Sequence, residues 1–275
     1  MQLLEAAAPA FFFSDVHLGA GAPDAERSKE RRLLRFLEAV GASGRSLFCL
    51  GDLFDFWFEY ETAIPRRHFR VLRALQELSE RGVGLYFLGG NHDWWVRRGR
   101  RPGFLERDIG FRLLEDGAEV RAGGLRLLLL HGDGVAGSDR GYRLLKRVLR
   151  DPVAIGLFRW VHPDLARALG DLTSRTSRRA QGGAPRAETC QRIREHASAL
   201  LASRTDLDAV LAGHAHLPED TPVAGGRYVN LGDWISHATY ALVDGGRLTL
   251  RSFDSDPRPA ADPILLAAAP RAKPR

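Results

Sequence analysis

Five short clusters of polar residues each follow an apolar run, and their side chains are of types that bind metal ions. The first, "SDVH", places Asp15 and His17 one residue apart, so that in an extended chain both side chains point to the same face. Taken alone, this pair is equally consistent with an exposed turn. The other clusters are "GDLFD", "GNHD", "HGD" and "GHAH". Five such clusters after five apolar runs are improbable by chance, so the pattern favours a binding site.

The clusters supply mixed oxygen and nitrogen ligands: Asp, His, Asp, Asn and three further His. Such ligands suit Mn²⁺, Fe²⁺ or Zn²⁺ better than Ca²⁺ or Mg²⁺. No Cys lies among them, which argues against a structural zinc site. Seven ligands are too many for one ion and suit two ions that share a bridging ligand. Pairs of ions about 3.5–4 Å apart typically promote displacement at phosphorus. The sequence therefore predicts a two-metal site of a kind suited to such displacement.

The elements that position these clusters alternate in the first half of the chain. Strands are predicted at 11–13, 46–50 and 84–89, with helices at 26–40 and 66–82. This alternation predicts an α/β fold with a mainly parallel sheet. Later strands are expected in a hairpin over 118–133, at 207–213, at 226–235 and in a hairpin over 238–250. We expect all five clusters at the carboxyl edge of one sheet, where open α/β folds bind ligands.

A helical, Arg-rich stretch at about 141–202 separates the fourth cluster from the fifth. At that place it would form a cap over the site. We expect residues 1–254 to form one domain with this insertion. The Pro- and Ala-rich tail, 255–275, is expected to be disordered.

The net charge of +6 is consistent with binding to nucleic acid. However, nearly all basic residues are Arg, and the only lysines are Lys29, Lys146 and Lys273. The dominance of Arg is typical of compositional bias. No platform of interleaved aromatic and basic residues is evident, so no nucleic-acid partner is expected.

The two cysteines, Cys49 and Cys190, form no disulfide framework, which fits a reducing compartment. The first ten residues lack the basic region of a signal peptide, and no run approaches the ~20 apolar residues of a membrane span. We expect a cytoplasmic protein that contacts the inner face of the membrane peripherally.

The series DxH, GDxxD, GNHD, HGD and GHxH, from Asp15 to His216, resembles that of the calcineurin-like metallophosphoesterases. The resemblance implies an α/β fold with central β-sheets flanked by helices. It implies one ion held by Asp15, His17 and His216, and a second held by Asn91, His131 and His214. Asp52 would bridge the two ions. His92 would stabilise charge or protonate the leaving oxygen, and Asp55 would orient His92.

Within that family the chain is most similar to the UDP-2,3-diacylglucosamine diphosphatases of lipid A synthesis. The similarity lies in "GDLFDFWFEY", "GNHDWW", the run at 131–147 and "YVNLGDW". It implies an amphiphilic UDP-sugar lipid as substrate, cleaved at its pyrophosphate, with acyl chains beneath the cap. The substrate-binding candidates are Asn91, Asp139, Tyr142, Ser174, Arg175, Ser177 and Arg178. Arg side chains match phosphate oxygens, although the run "LTSRTSRRA" is equally consistent with a solvated basic face.

Other functions stay open at this point. The enterobacterial enzymes carry GNRD where this chain has GNHD, so a general phosphodiesterase or phosphatase for small nucleotides is the main alternative. A nuclease and a non-catalytic scaffold are further alternatives. A scaffold would typically lack some of the ligands, and none is missing here. Mn²⁺ is the preferred ion, with Fe²⁺ or Zn²⁺ as alternatives.

Overall fold

The structure, a computed structural model, describes residues 3–96, 102–136, 151–180, 186–223 and 225–255. Its strands are β1 (Leu4–Ala6), β2 (Ala10–Phe13), β3 (Ser46–Cys49), β4 (Gly84–Leu88), β5 (Phe111–Leu114), β6 (Ala118–Ala122), β7 (Leu125–Leu130), β8 (Ala209–Ala212), β9 (Pro218–Val223), β10 (Gly226–Leu231), β11 (Thr239–Asp244) and β12 (Arg247–Ser252). Its helices are α1 (Pro23–Ser43), α2 (Phe69–Glu80), α3 (Phe104–Arg107), α4 (Asp133–Ala136), α5 (Pro152–Phe158), α6 (Pro163–Ala180) and α7 (Arg186–Ser203).

The strands form two six-stranded sheets rather than one. The first sheet has the order β12-β11-β2-β3-β4-β5, and the second has the order β1-β6-β7-β8-β10-β9. Strands β2 to β5 pair in parallel, and β7, β8 and β10 also pair in parallel. The expectation of a single sheet is therefore wrong: the strands before the fourth and fifth clusters, β7 and β8, lie in the second sheet.

The "FFF" run shows why the sheets are buried on both faces. Phe12 packs with Phe48 in the core between the two sheets, while Phe11 and Phe13 face the opposite way, toward α1 and Phe36. Alternate residues of a strand point to opposite faces. A continuous apolar run is therefore what a strand with two covered faces requires.

The helices complete a layered α/β/β/α arrangement. Helices α1 and α2 cover the outer face of the first sheet, and α7 covers the outer face of the second, where Ile193 and Ala197 pack against Val210. These layers hold the strand ends, and the loops that follow them, in fixed positions.

The sequence prediction missed three edge strands, β1, β5 and β9. Each is short or carries few buried apolar residues, and β9 ("PEDTPV") is mostly polar. Such strands are recognisable only by their pairing with a neighbour, which is a tertiary contact.

The predicted cap, 141–202, contains the described helices α5, α6 and α7. Because α7 is one of the core layers, α5 and α6 are the described helices of this stretch that lie outside the layers, and we use "cap helices" for these two. The domain boundaries themselves stay a prediction, and residues 256–275 of the predicted tail lie outside the described residues.

Candidate metal centre

The two sheets deliver the five polar clusters to one place. The loops after β2, β3 and β4 come from the first sheet, and the loops after β7 and β8 come from the second. Backbone hydrogen bonds join the loops within each sheet: Asp15 N donates to Gly51 O at 3.0 Å, and Gly213 N donates to His131 O at 3.1 Å. The candidate ligands therefore gather where the ends of two packed sheets meet.

The first set of predicted ligands, Asp15, His17 and His216, forms one compact group. The Nε2 atom of His216 lies 3.2 Å from Nε2 of His17 and 3.3 Å from Oδ1 of Asp15. Asp15 and His17 are buried, and each of the three offers one donor atom within 4.8 Å of the others. Three donor atoms that converge in this way can hold one cation.

The second set gathers around His131. Its Nε2 atom lies 3.2 Å from Oδ1 of Asn91, and Asp52, His131 and His214 form a second group with donor atoms within 4.8 Å. A single oxygen links the two groups, because Oδ2 of Asp52 lies 3.5 Å from Nε2 of His17 and 3.5 Å from Nε2 of His131. The structure thus brings the seven predicted ligands together, with Asp52 between the two sets. Their roles as ligands stay a prediction.

Each of the two central carboxylates has one oxygen tied to the backbone and one turned to the site. Oδ2 of Asp15 accepts a hydrogen bond from the His214 N–H at 2.9 Å, and Oδ1 of Asp52 accepts one from the His92 N–H at 2.9 Å. The other oxygens, Asp15 Oδ1 and Asp52 Oδ2, face the imidazoles. The backbone therefore fixes the direction in which each carboxylate can bind a cation.

The loops pass through a backbone conformation that non-glycine residues rarely adopt. Among the described residues, the non-glycine residues with positive φ are Asp15, His17, Asp52, His214, His216 and Ala238, with values from 48° to 67°. Five of these six are predicted ligands. Such strain costs about 1–3 kcal/mol per residue and concentrates at functional sites. Its coincidence with the ligand candidates supports a site rather than an ordinary turn.

Two glycines allow the strand ends to approach each other. A Cβ on Gly90 would lie 2.1 Å from Oδ1 of Asp52, and one on Gly51 would lie 2.5 Å from Nδ1 of His131. Gly51 also has φ of +93°. The glycines of the "GD" and "GN" pairs are therefore required by the close packing of the ligand loops.

Backbone carbonyls fix two imidazoles. His131 Nδ1 donates to Leu50 O at 2.8 Å, and His92 Nδ1 donates to Asp55 O at 2.9 Å. A carbonyl oxygen can only accept, so both rings carry a proton on Nδ1 and present Nε2 to the site. This is the arrangement that metal-binding and proton-transferring histidines need.

Asp55 contacts both His17 and His92. The Asp55 carboxylate lies closer to His17, with Oδ1 at 3.4 Å from His17 Nδ1, than to His92 Nδ1, at 3.7 Å. The Asp55 carbonyl also accepts a hydrogen bond from His92 Nδ1 at 2.9 Å, and the predicted orienting role of Asp55 stays a prediction. Both contacts come from one residue, because the loop folds its carbonyl and its side chain toward different rings.

The pKa values of two carboxylates at the site, Asp52 and Asp93, are shifted in opposite directions. Burial opposes ionisation of Asp52, but the neighbouring His131, His92 and His17 outweigh it and hold its pKa well below the usual range. Burial and the charge of Asp52 raise the pKa of Asp93 to about 7. Asp93 accepts hydrogen bonds from the N–H groups of Asp52, Phe54 and Gly90. Asp93 therefore supports these loops.

One unpartnered atom supports a cation at the first ligand set. Among the described residues, buried side-chain atoms without a hydrogen-bond partner include Asp15 Oδ1, His17 Nδ1, His216 Nδ1 and Asp233 Oδ2. Leaving a buried polar atom unpaired costs about 1–3 kcal/mol. Asp15 Oδ1 lies within the first ligand set, and the other three belong to that set's imidazoles or to a carboxylate beside them. A cation at the first set would pair with Asp15 Oδ1, whereas His17 Nδ1 and His216 Nδ1 face away from it, toward the carboxylates of Asp55 and Asp233.

Sequence reasoning missed two residues at the site. Lys29, in α1, is buried and donates from Nζ to the His17 carbonyl at 2.6 Å, while it pairs with Glu26 at 2.8 Å. Asp233 is fully buried, with Oδ2 at 3.6 Å from Nδ1 of His216. The available signals were a single Lys on a helix otherwise rich in Arg, and the polar end of "YVNLGDW".

Among the substrate-binding candidates, the structure describes the side chain of Asn91. Asn91 lies in the second ligand set. Asp139 and Tyr142 lie outside the described residues. Helix α6 contains Ser174, Arg175, Ser177 and Arg178. Their side chains lie outside the described part of the structure, so their role stays a prediction.

The cap helices rest on the segment that follows Asp55. The Phe158 ring packs 4.8 Å from that of Phe58, and the Tyr60 hydroxyl donates to the Val161 carbonyl at 3.0 Å. On α6, a Cβ at Gly170 would lie 2.4 Å from the Phe56 ring. The same loop therefore touches the metal centre at one end and the cap helices at the other.

The cap helices expose apolar side chains at helical spacing. On and just after α5 these are Val153, Leu157 and Trp160, and on α6 they are Leu165, Leu169 and Leu172. Trp160 is 91% exposed. Residues three and four apart lie on one face of a helix, so each set forms an apolar stripe. None of the helices in the described part of the chain combines the length and hydropathy needed to cross a membrane.

Comparison with known proteins agrees with this geometry. A family model described as calcineurin-like phosphoesterase matches residues 8–218. A Porphyromonas gingivalis protein named UDP-2,3-diacylglucosamine hydrolase is 33% identical, and the match covers 89% of this chain and 97% of that protein.

Proteins of the same name from Ectopseudomonas mendocina and Azotobacter vinelandii are 31% and 30% identical. These matches cover 89% and 88% of this chain, and 98% of each relative. Among solved structures, an E. coli phosphoesterase is similar with a TM-score of 0.43 and 17% identity, over 89% of this chain and 93% of that chain.

Proposed function

Because the chain belongs to the calcineurin-like phosphoesterase family, and is a metal-dependent phosphoester hydrolase, we propose that its substrate is UDP-2,3-diacylglucosamine. Water would cleave the pyrophosphate, giving UMP and 2,3-diacylglucosamine 1-phosphate. The observation that carries this proposal is the likeness, over nearly their full length, to relatives named for that substrate.

The family implies a dinuclear divalent-metal site, and the two donor groups joined by Asp52 fit such a pair. Bound ions would supply Lewis-acid activation of the phosphoryl group and of the attacking water. We propose Mn²⁺ as the native ion, with Fe²⁺ or Zn²⁺ as alternatives, because the donors are carboxylate, amide and imidazole groups without thiolate. Elemental analysis of protein purified without chelators tests the identity.

His92 is proposed as the proton donor to the leaving phosphate oxygen. Its Nδ1 is tied to the Asp55 carbonyl at 2.9 Å, so Nε2 is the nitrogen that can transfer a proton. The ring lies against His17, with centroids 4.7 Å apart, and its backbone N–H holds the bridging carboxylate. The same residue thus lies beside both predicted ligand sets without belonging to either.

The cap helices offer the apolar surface that an acylated substrate needs. Their stripes of exposed Leu, Val and Trp side chains lie on elements that share a loop with the metal centre. Burial of apolar area contributes about 25 cal/mol per Å², so even part of an acyl chain would add substantially to binding.

A location in the cytoplasm, with peripheral contact at the inner face of the membrane, is proposed on the same grounds. An amphiphilic substrate is collected at a bilayer surface, and apolar stripes in a protein of net charge +6 suit an anionic one.

The test is a comparison of kcat/KM on four substrates: the diacylated lipid, UDP-glucosamine without acyl chains, bis-p-nitrophenyl phosphate and cyclic nucleotides. We expect strong preference for the diacylated lipid. Comparable turnover of the small diesters would contradict the proposal and favour the second candidate, a general metallophosphodiesterase. The specific observation behind that candidate is His92, which replaces the Arg of the enterobacterial GNRD motif.

A further inference from the structure

Asp233 lies behind His216, on the side of the imidazole that faces away from the predicted metal ligands. Its Oδ2 atom is 3.6 Å from His216 Nδ1, whereas His216 Nε2 faces Asp15 and His17 at 3.3 and 3.2 Å. Both Asp233 Oδ2 and His216 Nδ1 are buried and have no hydrogen-bond partner. Two unpaired buried atoms, one able to accept and one able to donate, therefore face each other at 3.6 Å.

The remaining contacts hold Asp233 firmly in this orientation. Its Oδ1 atom accepts hydrogen bonds from the N–H groups of Ser236 at 2.7 Å and His237 at 3.1 Å, and lies 3.2 Å from Nδ1 of His237. With Oδ1 occupied in this way, Oδ2 is directed at His216. The carboxylate is fully buried, so it does not sample other partners in solvent.

The backbone on both sides of Asp233 is anchored to the ligand loops. Before it, the Asn230 side chain donates to the Gly213 carbonyl at 3.0 Å and accepts from the Gly232 N–H at 3.1 Å. After it, the Trp234 N–H donates to the Asp15 carbonyl at 3.1 Å. The segment 230–234 thus contacts the loop that carries His214 and His216, and also the loop that carries Asp15.

We propose that Asp233 is the positioning residue of His216: it keeps the ring's proton on Nδ1, so that the Nε2 lone pair points to the predicted first metal site. A carboxylate behind a ligating imidazole fixes its tautomer and orientation. The inference rests on the proposed two-metal function for its consequence, but the tautomer itself is a property of this chain and is measured without substrate.

The substitution Asp233→Asn tests the proposal because it replaces the hydrogen-bond acceptor that faces His216 Nδ1 with a donor. The Asn oxygen can still accept from the Ser236 and His237 N–H groups, which places the amide NH₂ where Oδ2 was. That NH₂ group donates toward His216 Nδ1. The ring must then carry its proton on Nε2, the atom that should bind the cation.

Two measurements follow, neither of which uses activity. In protein loaded with diamagnetic Zn²⁺, ¹⁵N NMR of labelled imidazoles separates protonated from unprotonated ring nitrogens, and a His216→Ala spectrum assigns the signals. We expect the Nδ1–H tautomer of His216 in the wild type and the Nε2–H tautomer in Asp233→Asn. In Mn²⁺ titrations, we expect the variant to bind one of two ions about 10–100-fold more weakly, with the other unchanged.

His237→Ala is the matched control. It removes a side chain on the opposite oxygen of Asp233 and leaves both backbone N–H groups in place, so we expect the wild-type tautomer and two ions of wild-type affinity. Loss of the same ion in His237→Ala would overturn the proposal, because any disturbance of the segment would then suffice.

If Asp233→Asn fails to fold, the wild-type spectrum alone still tests the proposal. An Nε2–H tautomer of His216 in the wild type would overturn the inference. Failure of the proposed function looks different: the chain would not prefer the diacylated lipid, while the tautomer and the metal titrations would still report on Asp233.

Discussion

The metal centre and the cap helices differ in how the rest of the molecule holds them. At the centre, Asp15 and Asp52 are buried, and each has one carboxylate oxygen fixed by a backbone N–H of another loop. The cap helices contact the segment after Asp55 through aromatic rings, a hydrogen bond from Tyr60 reaches Val161 between them, and they expose whole apolar stripes.

This difference matches two different demands. Stabilising charge at phosphorus needs donor atoms fixed to within fractions of an ångström. Selecting an acyl chain needs apolar area but little direction, since the hydrophobic effect is not directional. Changes at the centre should therefore affect every phosphoester, whereas changes in the cap helices should affect only an acylated one.

The largest effect is expected for Asp52→Asn. The variant loses the shared anionic oxygen, so both ions should bind more weakly, and kcat/KM should fall by about 10³-fold or more on every substrate. Metal analysis and assays on the lipid and on bis-p-nitrophenyl phosphate measure this. Asp15→Asn is the comparison, since it should weaken only the ion shared with His17 and His216. A full metal complement with full activity in Asp52→Asn would show that the bridge is wrongly placed.

His92→Ala should have the next largest effect. His92 is not a predicted ligand, so the variant should keep its metals while kcat falls by roughly 10²–10⁴-fold, the scale for losing a positioned acid. The loss should again apply to lipid and small diesters alike. Loss of metal in this variant would mean that His92 acts as a ligand.

Gly170→Ala should lower activity on the acylated substrate without affecting the metal centre. The new methyl group would meet the Phe56 ring at 2.4 Å, so α6 or the ring must shift. Overpacking of this kind costs about 1–3 kcal/mol. We expect kcat/KM to fall about tenfold on the diacylated lipid, since about 1.4 kcal/mol is tenfold, with little change on bis-p-nitrophenyl phosphate.

Gly156→Ala on α5 is the matched control for that variant. A Cβ there meets nothing within 4 Å, so the substitution should leave both activities unchanged. Equal losses on both substrates in Gly170→Ala would show that the cap helices and the centre are not separable.

The smallest effect is expected for Trp160→Ser. If the stripe on α5 contacts a bilayer, binding to anionic liposomes should fall about fivefold, because ~1 kcal/mol corresponds to only ~40 Å² of buried apolar area. Flotation at low and high salt measures it. Phe69→Ser, which removes an exposed aromatic ring from α2 outside the cap helices, is the control. Equal binding of wild type and Trp160→Ser, or equal binding to neutral and anionic lipid, would contradict membrane contact through this surface.

The sequence by itself determined the local elements and the candidate ligands. The runs "FFF" and "SLFC" were predicted as strands and correspond to β2 and β3. They were recognisable because the hydrophobic pattern of a strand or helix depends on residues close together in the sequence. The five polar clusters were recognisable for the same reason: each places a metal-binding side chain directly after such a run. The likeness to relatives agrees with the family inferred from these clusters.

Only the tertiary structure decided which strands share a sheet and which residues support the ligands. The division into two sheets depends on pairing between strands far apart in the chain, such as β7 with β8, and no local pattern encodes it. Likewise, Asp233 reaches His216, and the Asp55 carboxylate lies closer to His17 than to His92, because loops from different strands meet in space. A residue's type and its place in a cluster show that it can bind a metal, but which atom faces which ring is set by packing across the fold.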